Sequence, residues 1–376
     1  GYCFSIRGIA RELSHATGAD FRDPKSNAHI ERAEGFPLTI NDLAPIRDTA
    51  CTQRVVLRVV KGIDPTKPTP PWMVARLKMA GMRSISLVVD ITNYTMLELG
   101  QPTHAYDLDK FKGGMTIRRA LPGETLKTLD GQERKLDLED LVIADENGAV
   151  GLAGVMGGAS TEIDDASTDV LIEAATFDPI TIARTARRHK LPSEASKRFA
   201  RGVDPLVSRA AAQRVIDLLV ELGGGTVDSL GNDDVTVTAP AAIELPADYV
   251  AKRIGVDYSV AEIEGVLSDI GATVSKAADG WTVVPPSWRP DLIDAPGLAE
   301  EVARIHGYDR IPSAIPVAPP GRGLNRSQAA RRRVAQVLAA AGLTEVLAYP
   351  FVTSADNALF GSPEGMAVPE MTLANA

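Results

Sequence analysis

Five stretches of this chain place polar, reactive side chains where a plain hydrophobic core would not need them. His104, one of five histidines, sits in "GQPTHAYD", soon after Asn93 and Tyr94 and with Gln101 close by. The preceding "LVVDITNY" reads as an apolar strand led by Leu87-Val88-Val89, so His104 falls on a loop beyond a strand end. Such loops often carry sites. A histidine there can act as acid, base or hydrogen-bond donor, or simply satisfy a turn carbonyl. Glu173 interrupts the apolar run "VLIEAATF". A carboxylate in that setting is costly unless it is paired or serves a ligand. Strand alternation puts it on one face with Leu171 and Ala175, and Arg184, Arg187 and Arg188 follow closely enough to pair with it.

The third stretch, "GLAGVMGG" (151–158), has four glycines in eight residues. It suits close approach of backbone to a ligand, or a tight hairpin. It is neither a dinucleotide fingerprint nor a P-loop. The fourth, "RTARRHKLPSEASKRFARGVDP" (184–205), is locally basic. It suits contacts to phosphates such as an RNA backbone, or a solvated helix face. Its "LPSEAS" break places Ser193 and Ala195 where small groups can shape a pocket. The fifth gathers Asp291, Asp294, Glu300 and Glu301. Oxygen ligands of this kind suit Mg²⁺, but acids in the first turn of a helix opened by Pro296 also complement its positive end. No GxSxG or HExxH motif and no plausible Cys-His pair is present, so a serine nucleophile is not supported.

The elements that must position these groups can be read in order. "SIRGIARELSHATGA" spaces Ile6, Ile9, Ala10 and Leu13 as a helix would. "FRDPKSNAHIERAEGFP" reads as a loop, "RVVLRVVKGI" as an alternating strand, and the segment from Trp72 to Gly81 as a helix. Asp130-Gly131 and Asn147-Gly148 signal hairpins. "DPITIARTARRHKL" and "PLVSRAAAQRVIDLLVELGGG" read as helices, making 53–232 a mixed α+β domain. A smaller domain at 233–312 opens with a strand pair in "VTVTAPAAIEL", followed by two short helices, a strand and a third helix. Beyond the linker "PVAPPGRG", a long helix ends at Gly342 and leads into a strand in "TEVLAYPFV".

The bulk numbers limit the possibilities. A length of 376 residues suggests roughly two to four domains. The chain is 44% hydrophobic and 24% charged, an ordinary globular balance. A net charge of −9 excludes a generally basic nucleic-acid binder and leaves only local patches or a basic partner. Two cysteines exclude a disulfide framework and a multi-cysteine zinc site, and fit a reducing cytosol. No apolar run reaches the roughly 18 residues needed to span a bilayer. The opening Gly-Tyr-Cys and the ending "MTLANA" are expected of part of a longer protein.

Taken together, "SIRGIAREL", "MRSISLVVDITNYTMLELGQPTHAYD", "AGVMGG", "VLIEAATFDP", "ARRHKLPSEASKRFARGVDP" and "PPSWRPDL…EEVARIHGYDRIP" resemble the bacterial phenylalanyl-tRNA synthetase beta subunit, in order and over nearly the whole chain. The resemblance implies a cytoplasmic heterotetramer of two alpha and two beta subunits that charges tRNA(Phe) using ATP and Mg²⁺. The synthetic site, and with it ATP binding, would lie on the alpha subunit. It implies a multidomain α+β fold: an N-terminal helix and linker (1–52), an editing domain (53–232), a winged-helix-like domain (233–312), and the start of an inactive class II synthetase-like module (313–376). No stretch of these residues resembles the family's tRNA-binding OB-fold insertion, as expected of part of a longer protein.

The resemblance further implies an editing pocket that hydrolyses misacylated tyrosyl-tRNA(Phe), built from Arg83, His104, Gly157, Glu173, Ser193 and Ala195. Glu173 would accept the tyrosine phenol. His104 and the backbone near Gly157 would position a water and polarise the ester. Arg83 would hold the tRNA end or orient the pocket. Two departures stand out. Ser193 replaces a frequent threonine, keeping the hydroxyl. In the Mg²⁺ cluster, Asp291, Glu300 and Glu301 match, but Gly297 stands where an aspartate is usual and Asp294 is the nearby substitute. The alternatives are a non-catalytic scaffold that binds tRNA and the alpha subunit, and a free-standing nucleic-acid binder. The net charge argues against the last.

Overall fold

The computed structural model describes residues 1–24, 33–317, 320–321, 323–361 and 368–373. Residues 25–32 of the loop read at 21–37 and part of the "PVAPPGRG" linker lie outside the described residues. The chain divides into two compact units, Gly1–Pro312 and Ser313–Ala376.

The first unit begins with α1 (Ile6–Thr17), β1 (Glu34–Gly35) and β2 (Leu38–Asn41), so the N-terminal segment contributes strands as well as a helix. Next come β3 (Arg54–Lys61), α2 (Pro71–Met79), α3 (Leu87–Leu99), β4 (His104–Asp107), β5 (Met115–Arg119), β6 (Thr125–Lys127) and β7 (Glu133–Lys135). They are followed by β8 (Leu141–Asp145), β9 (Gly148–Leu152), β10 (Met156–Gly157), β11 (Val170–Ala175), α4 (Pro179–Arg188), α5 (Glu194–Phe199), α6 (Ser208–Leu218) and β12 (Thr226–Val235). Two five-stranded sheets result, in the orders β1-β12-β3-β11-β4 and β10-β9-β8-β5-β2.

The central strand β3 explains the layering. It is buried at every residue except Lys61, so its sequence does not alternate apolar with polar as a one-sided strand would. Leu57 and Val59 join Leu171, Ile143 and Val150 in a core shared with the second sheet. Val60 and Ile172 face Met73, Leu77, Leu87, Ile91 and Val215 of the helical layer.

One sequence expectation is corrected here. The stretch 87–99 is helix α3, not a strand. Leu87, Ile91 and Tyr94 recur at helical spacing against the sheet, and Gly100 ends the helix with φ +81°. The buried Asp90 carboxylate accepts from Ser84 Oγ, Thr69 Oγ1 and the Ile85 amide, which anchors the entry to the helix. The helix expected at the N-terminus forms as α1. Ile6, Ile9 and Leu13 are exposed, whereas Arg7, Gly8 and Arg11 are buried. Arg7 binds Asp23 and Asp204, and Arg11 binds Asp23 and stacks over Trp288, so the buried charges are compensated.

The "VTVTAPAAIEL" pair does not form: β12 ends at its first residue, Val235, residues 236–242 are not strand, and its end opens β13 (Ile243–Pro246). The smaller domain then runs through α7 (Tyr249–Ile254), α8 (Val260–Asp269), β14 (Thr273–Ala277), β15 (Gly280–Val284) and α9 (Ala295–His306). Its three strands pair antiparallel in the order β13-β15-β14, and Trp281, Val283, Leu267, Leu298 and Val302 form its core. The second unit carries α10 (Arg326–Ala340) and α11 (Ser354–Phe360). The strand expected after Gly342 does not form; Val346, Leu347 and Phe351 are exposed. A strand needs a hydrogen-bonded neighbour, and the described residues of this unit supply none. Among the described residues, no helix is long and apolar enough to cross a membrane.

Candidate functional site

Strands β4 and β11 pair antiparallel, with Glu173 directly opposite His104 and Leu171 opposite Tyr106. Both His104 and Glu173 therefore point to the same side, into a cavity of about 80 Å³. Its lining includes Pro102, Thr103, Tyr106, Met156, Gly157, Phe177, Ala195 and Phe199. Glycines of the β9–β10 hairpin close one wall. A side chain on Gly157 would meet the His104 ring at 2.6 Å. Gly154 turns the hairpin at φ +65°, where a Cβ would strike Phe199 at 2.8 Å and Phe177 at 3.0 Å. The stretch "GLAGVMGG" thus forms the expected hairpin, and its glycines line the cavity.

The electrostatics follow from burial. Glu173 is 6% exposed. Loss of hydration raises its carboxyl to about 7, although a hydrogen bond from Tyr106 opposes the rise. Burial pushes the His104 imidazole down to about 4, so it is neutral at pH 7. The arginines of 184–188 do not neutralise Glu173: Arg184 holds Glu139, and Arg188 holds Glu139 and Asp140. The partner is Tyr106, whose hydroxyl donates to Glu173 Oε2 at 2.5 Å. The "GQPTH" turn is fixed by Gln101. Its Nε2 donates to Ala175 O at 2.7 Å and to Pro102 O at 2.8 Å, and its Oε1 accepts from Ser208 Oγ at 2.9 Å.

The remaining expected residues divide. Ala195 lines the cavity. Ser193 does not, because its hydroxyl is engaged behind it. Ser193 Oγ accepts from the Ser196 amide at 3.0 Å, capping α5, and donates to Val155 O at 2.8 Å, tying that helix to the glycine hairpin. Arg83 is exposed in the segment between α2 and α3 and is not part of the lining. Tyr94 packs in the helical layer on the opposite side of the sheet. Sequence reasoning missed Tyr106, Phe177 and Phe199. Tyr106 carried a legible signal, since it lies two residues beyond His104 and a strand puts i and i+2 on one face.

The expected Mg²⁺ ligands do not form a cation site. Arg289 binds Asp291 at 2.7 Å and Glu301 at 2.8 Å, and Arg304 binds Glu301 at 2.8 Å. Glu300 accepts instead from the Tyr308 hydroxyl. Asp294 caps α9 through the Gly297 amide at 3.0 Å. Among the described residues, no group of three or more His, Cys, Asp or Glu side chains could hold a metal ion. Guanidinium groups supply the compensating charge that a divalent ion would bring, so this donor set does not fit Mg²⁺.

Three family models match successive parts of the chain. The chain matches the models of the B3/4 domain over residues 51–224, the tRNA synthetase B5 domain over 243–308, and the phenylalanyl tRNA synthetase beta chain CLM domain over 311–376. This succession defines an aminoacyl-tRNA synthetase beta chain. A phenylalanine–tRNA ligase beta subunit from Leifsonia xyli is 62% identical over 379 residues, covering 100% of this chain and 44% of the relative. One from Streptomyces avermitilis is 52% identical over 356 residues, covering 94% of this chain and 42% of the relative. The chain belongs to the phenylalanine–tRNA ligase beta-subunit family and spans less than half the length of these relatives. A solved N-terminal fragment of the Pyrococcus horikoshii beta subunit matches at 15% identity and a TM-score of 0.38, over 81% of this chain and 83% of that one, too loosely to support an argument.

Proposed function

We propose that this chain serves, in the cytoplasm, as part of the beta subunit of an enzyme that charges tRNA(Phe), and that its B3/4 domain edits misacylated tyrosyl-tRNA(Phe). The alpha-subunit partner of an α2β2 assembly would carry the synthetic site and its ATP and Mg²⁺. The smaller domain is read as winged-helix-like, and the second unit as the start of a class II-like module. The observation that carries the editing reading is the buried Glu173 facing neutral His104 across one cavity.

Tyrosine and phenylalanine differ by one hydroxyl, and a pocket that demands that hydroxyl discriminates far better than one that merely tolerates it. Glu173 accepts the phenol proton in a hydrogen bond; phenylalanine would leave the carboxylate without that donor. His104 accepts a hydrogen bond from a water and aims it at the ester carbonyl. The water oxygen attacks the carbonyl carbon, the ester C–O bond breaks, and the ribose oxygen leaves with a proton. Free tyrosine and uncharged tRNA result. With its imidazole near 4, His104 is a weak base, so it acts mainly by orientation. Arg83 holds the tRNA end outside the cavity.

The test is deacylation of tyrosyl-tRNA(Phe) by the assembled enzyme and by its Glu173→Ala and His104→Ala variants. Both substitutions should slow hydrolysis at least tenfold. Undiminished hydrolysis in both would remove the site assignment. Tight tRNA binding without any deacylation would favour the scaffold reading instead.

A further inference from the structure

The cavity already contains a phenol. Tyr106 is 2% exposed and Glu173 is 6% exposed, and the Tyr106 hydroxyl donates to Glu173 Oε2 at 2.5 Å. This is the same bond that a bound tyrosyl group would make. The Tyr106 ring also lies edge-on to His104, with centroids 4.4 Å apart, and edge-on to Phe111 at 5.3 Å. One residue therefore touches both polar groups of the site and is itself wedged in the core. Among the described residues, Glu173 Oε1 makes no such bond.

We propose that Tyr106 is a positioning residue that sets substrate specificity. Its hydroxyl occupies Glu173 Oε2 and fixes the carboxyl rotamer, which reserves Oε1 for the hydroxyl of an incoming tyrosyl ester. The inference rests on the editing reading above and names what holds its specificity group in place.

A buried carboxylate without a donor carries the full cost of desolvation. An internal phenol meets part of that cost in the empty site, so the group stays fixed and ionisable before the ligand arrives. A hydrogen bond to an ionised acceptor is short and stronger than one between neutral groups, so an ionised Glu173 selects a phenol more sharply than a protonated one. Tyr106 favours the ionised form; burial opposes it. Among the described residues of the cavity lining, the titratable groups facing Glu173 are His104 and Tyr106 themselves. The remaining β9, β10 and α5 positions there are glycine, apolar or small. Leu57 of β3 stands opposite Glu173 on the other side.

Tyr106→Phe removes one oxygen and keeps the ring. In the assembled enzyme, hydrolysis of tyrosyl-tRNA(Phe) should show KM raised about tenfold at pH 7, with the larger share of the change in KM rather than kcat. The acid limb of the kcat/KM profile should move up by about one pH unit, because the lost donor favoured the carboxylate. Placed in a Glu173→Gln background, Tyr106→Phe should have little further effect, since Tyr106 acts through Glu173. Thermal melting of each variant reports whether the fold survives. Unmoved KM and an unmoved acid limb in Tyr106→Phe would overturn the proposal while leaving editing intact. So would an equal loss in the Glu173→Gln background. Absence of tyrosyl-tRNA hydrolysis by the unaltered enzyme would instead overturn the editing reading itself.

Discussion

Gly157 and His104 are in mutual contact: a Cβ on Gly157 would lie 2.6 Å from His104 Cε1 and 2.8 Å from Nε2. The backbone of the glycine hairpin is thus the surface on which the imidazole rests. Gly157→Ala should tilt the ring out of line with the ester. The expected result is a loss of about tenfold to a hundredfold in kcat/KM for tyrosyl-tRNA(Phe) deacylation, with an overpacking cost of about 1–3 kcal/mol in denaturant unfolding. Hydrolysis at the original rate would show that the ring has no fixed role.

His104 and Glu173 should leave opposite marks on stability against pH. The folded His104 pKa is lowered from 6.5 to about 4. Between those values the unfolded chain binds more protons, so this group's contribution falls as pH drops from 6.5 toward 4. The folded Glu173 pKa is raised from 4.5 to about 7. Between those values the folded chain holds the extra proton, so this contribution falls as pH rises from 4.5 toward 7. Each amounts to about 3 kcal/mol at its full extent, and across the shared window they nearly cancel. Glu173→Gln should therefore uncover acid destabilisation, and His104→Gln should uncover greater stability at pH 5 than at pH 7. Parallel pH curves for the two variants in chemical denaturation would contradict both placements.

Ser193 acts through its hydroxyl behind the pocket. Ser193→Ala removes the α5 cap and the bond to Val155 O. It should cost about 1 kcal/mol and loosen Ala195 and Phe199 against the cavity, lowering deacylation several-fold. Ser193→Thr keeps the oxygen and should behave like the unaltered protein. If Ala and Thr variants melt at the same temperature, the cap is energetically idle.

The acidic cluster near α9 should behave as an ion-pair network rather than a metal site. Burial alone would raise Glu301, but Arg289 and Arg304 outweigh it and hold its carboxyl down at about 2. The stabilisation is present above pH 4.5 and is lost as pH falls through about 2. Glu301→Gln should destabilise the smaller domain by about 3 kcal/mol, whereas a chelator or millimolar Mg²⁺ should leave its melting unmoved. A rise in melting temperature with Mg²⁺ would overturn this description.

Much of this architecture is local and was legible without coordinates. The glycine hairpin, the helix after Asp178, the break at "LPSEAS" and the conspicuous carboxylate at Glu173 follow from backbone preferences and from the cost of burying charge. What was not legible depended on neighbours. The segment 87–99 has strand-like composition, but its 3.6-residue spacing prevails once Leu87, Ile91 and Tyr94 find the sheet. Helix α1 buries its arginines because Asp23, just beyond the helix, and Asp204 and Trp288, distant in sequence, compensate them.

The same division applies at the site. Residue types alone could nominate His104 and Glu173, since few other groups in apolar surroundings can bind or move a proton. Their pairing across β4 and β11 and the Tyr106 hydroxyl on Glu173 belong to tertiary structure, whereas the arginines that capture Asp291 and Glu301 are near them in sequence. Hydrogen bonds and ion pairs are decided within a few ångströms, and only the folded chain brings residues 67 or more positions apart to that distance.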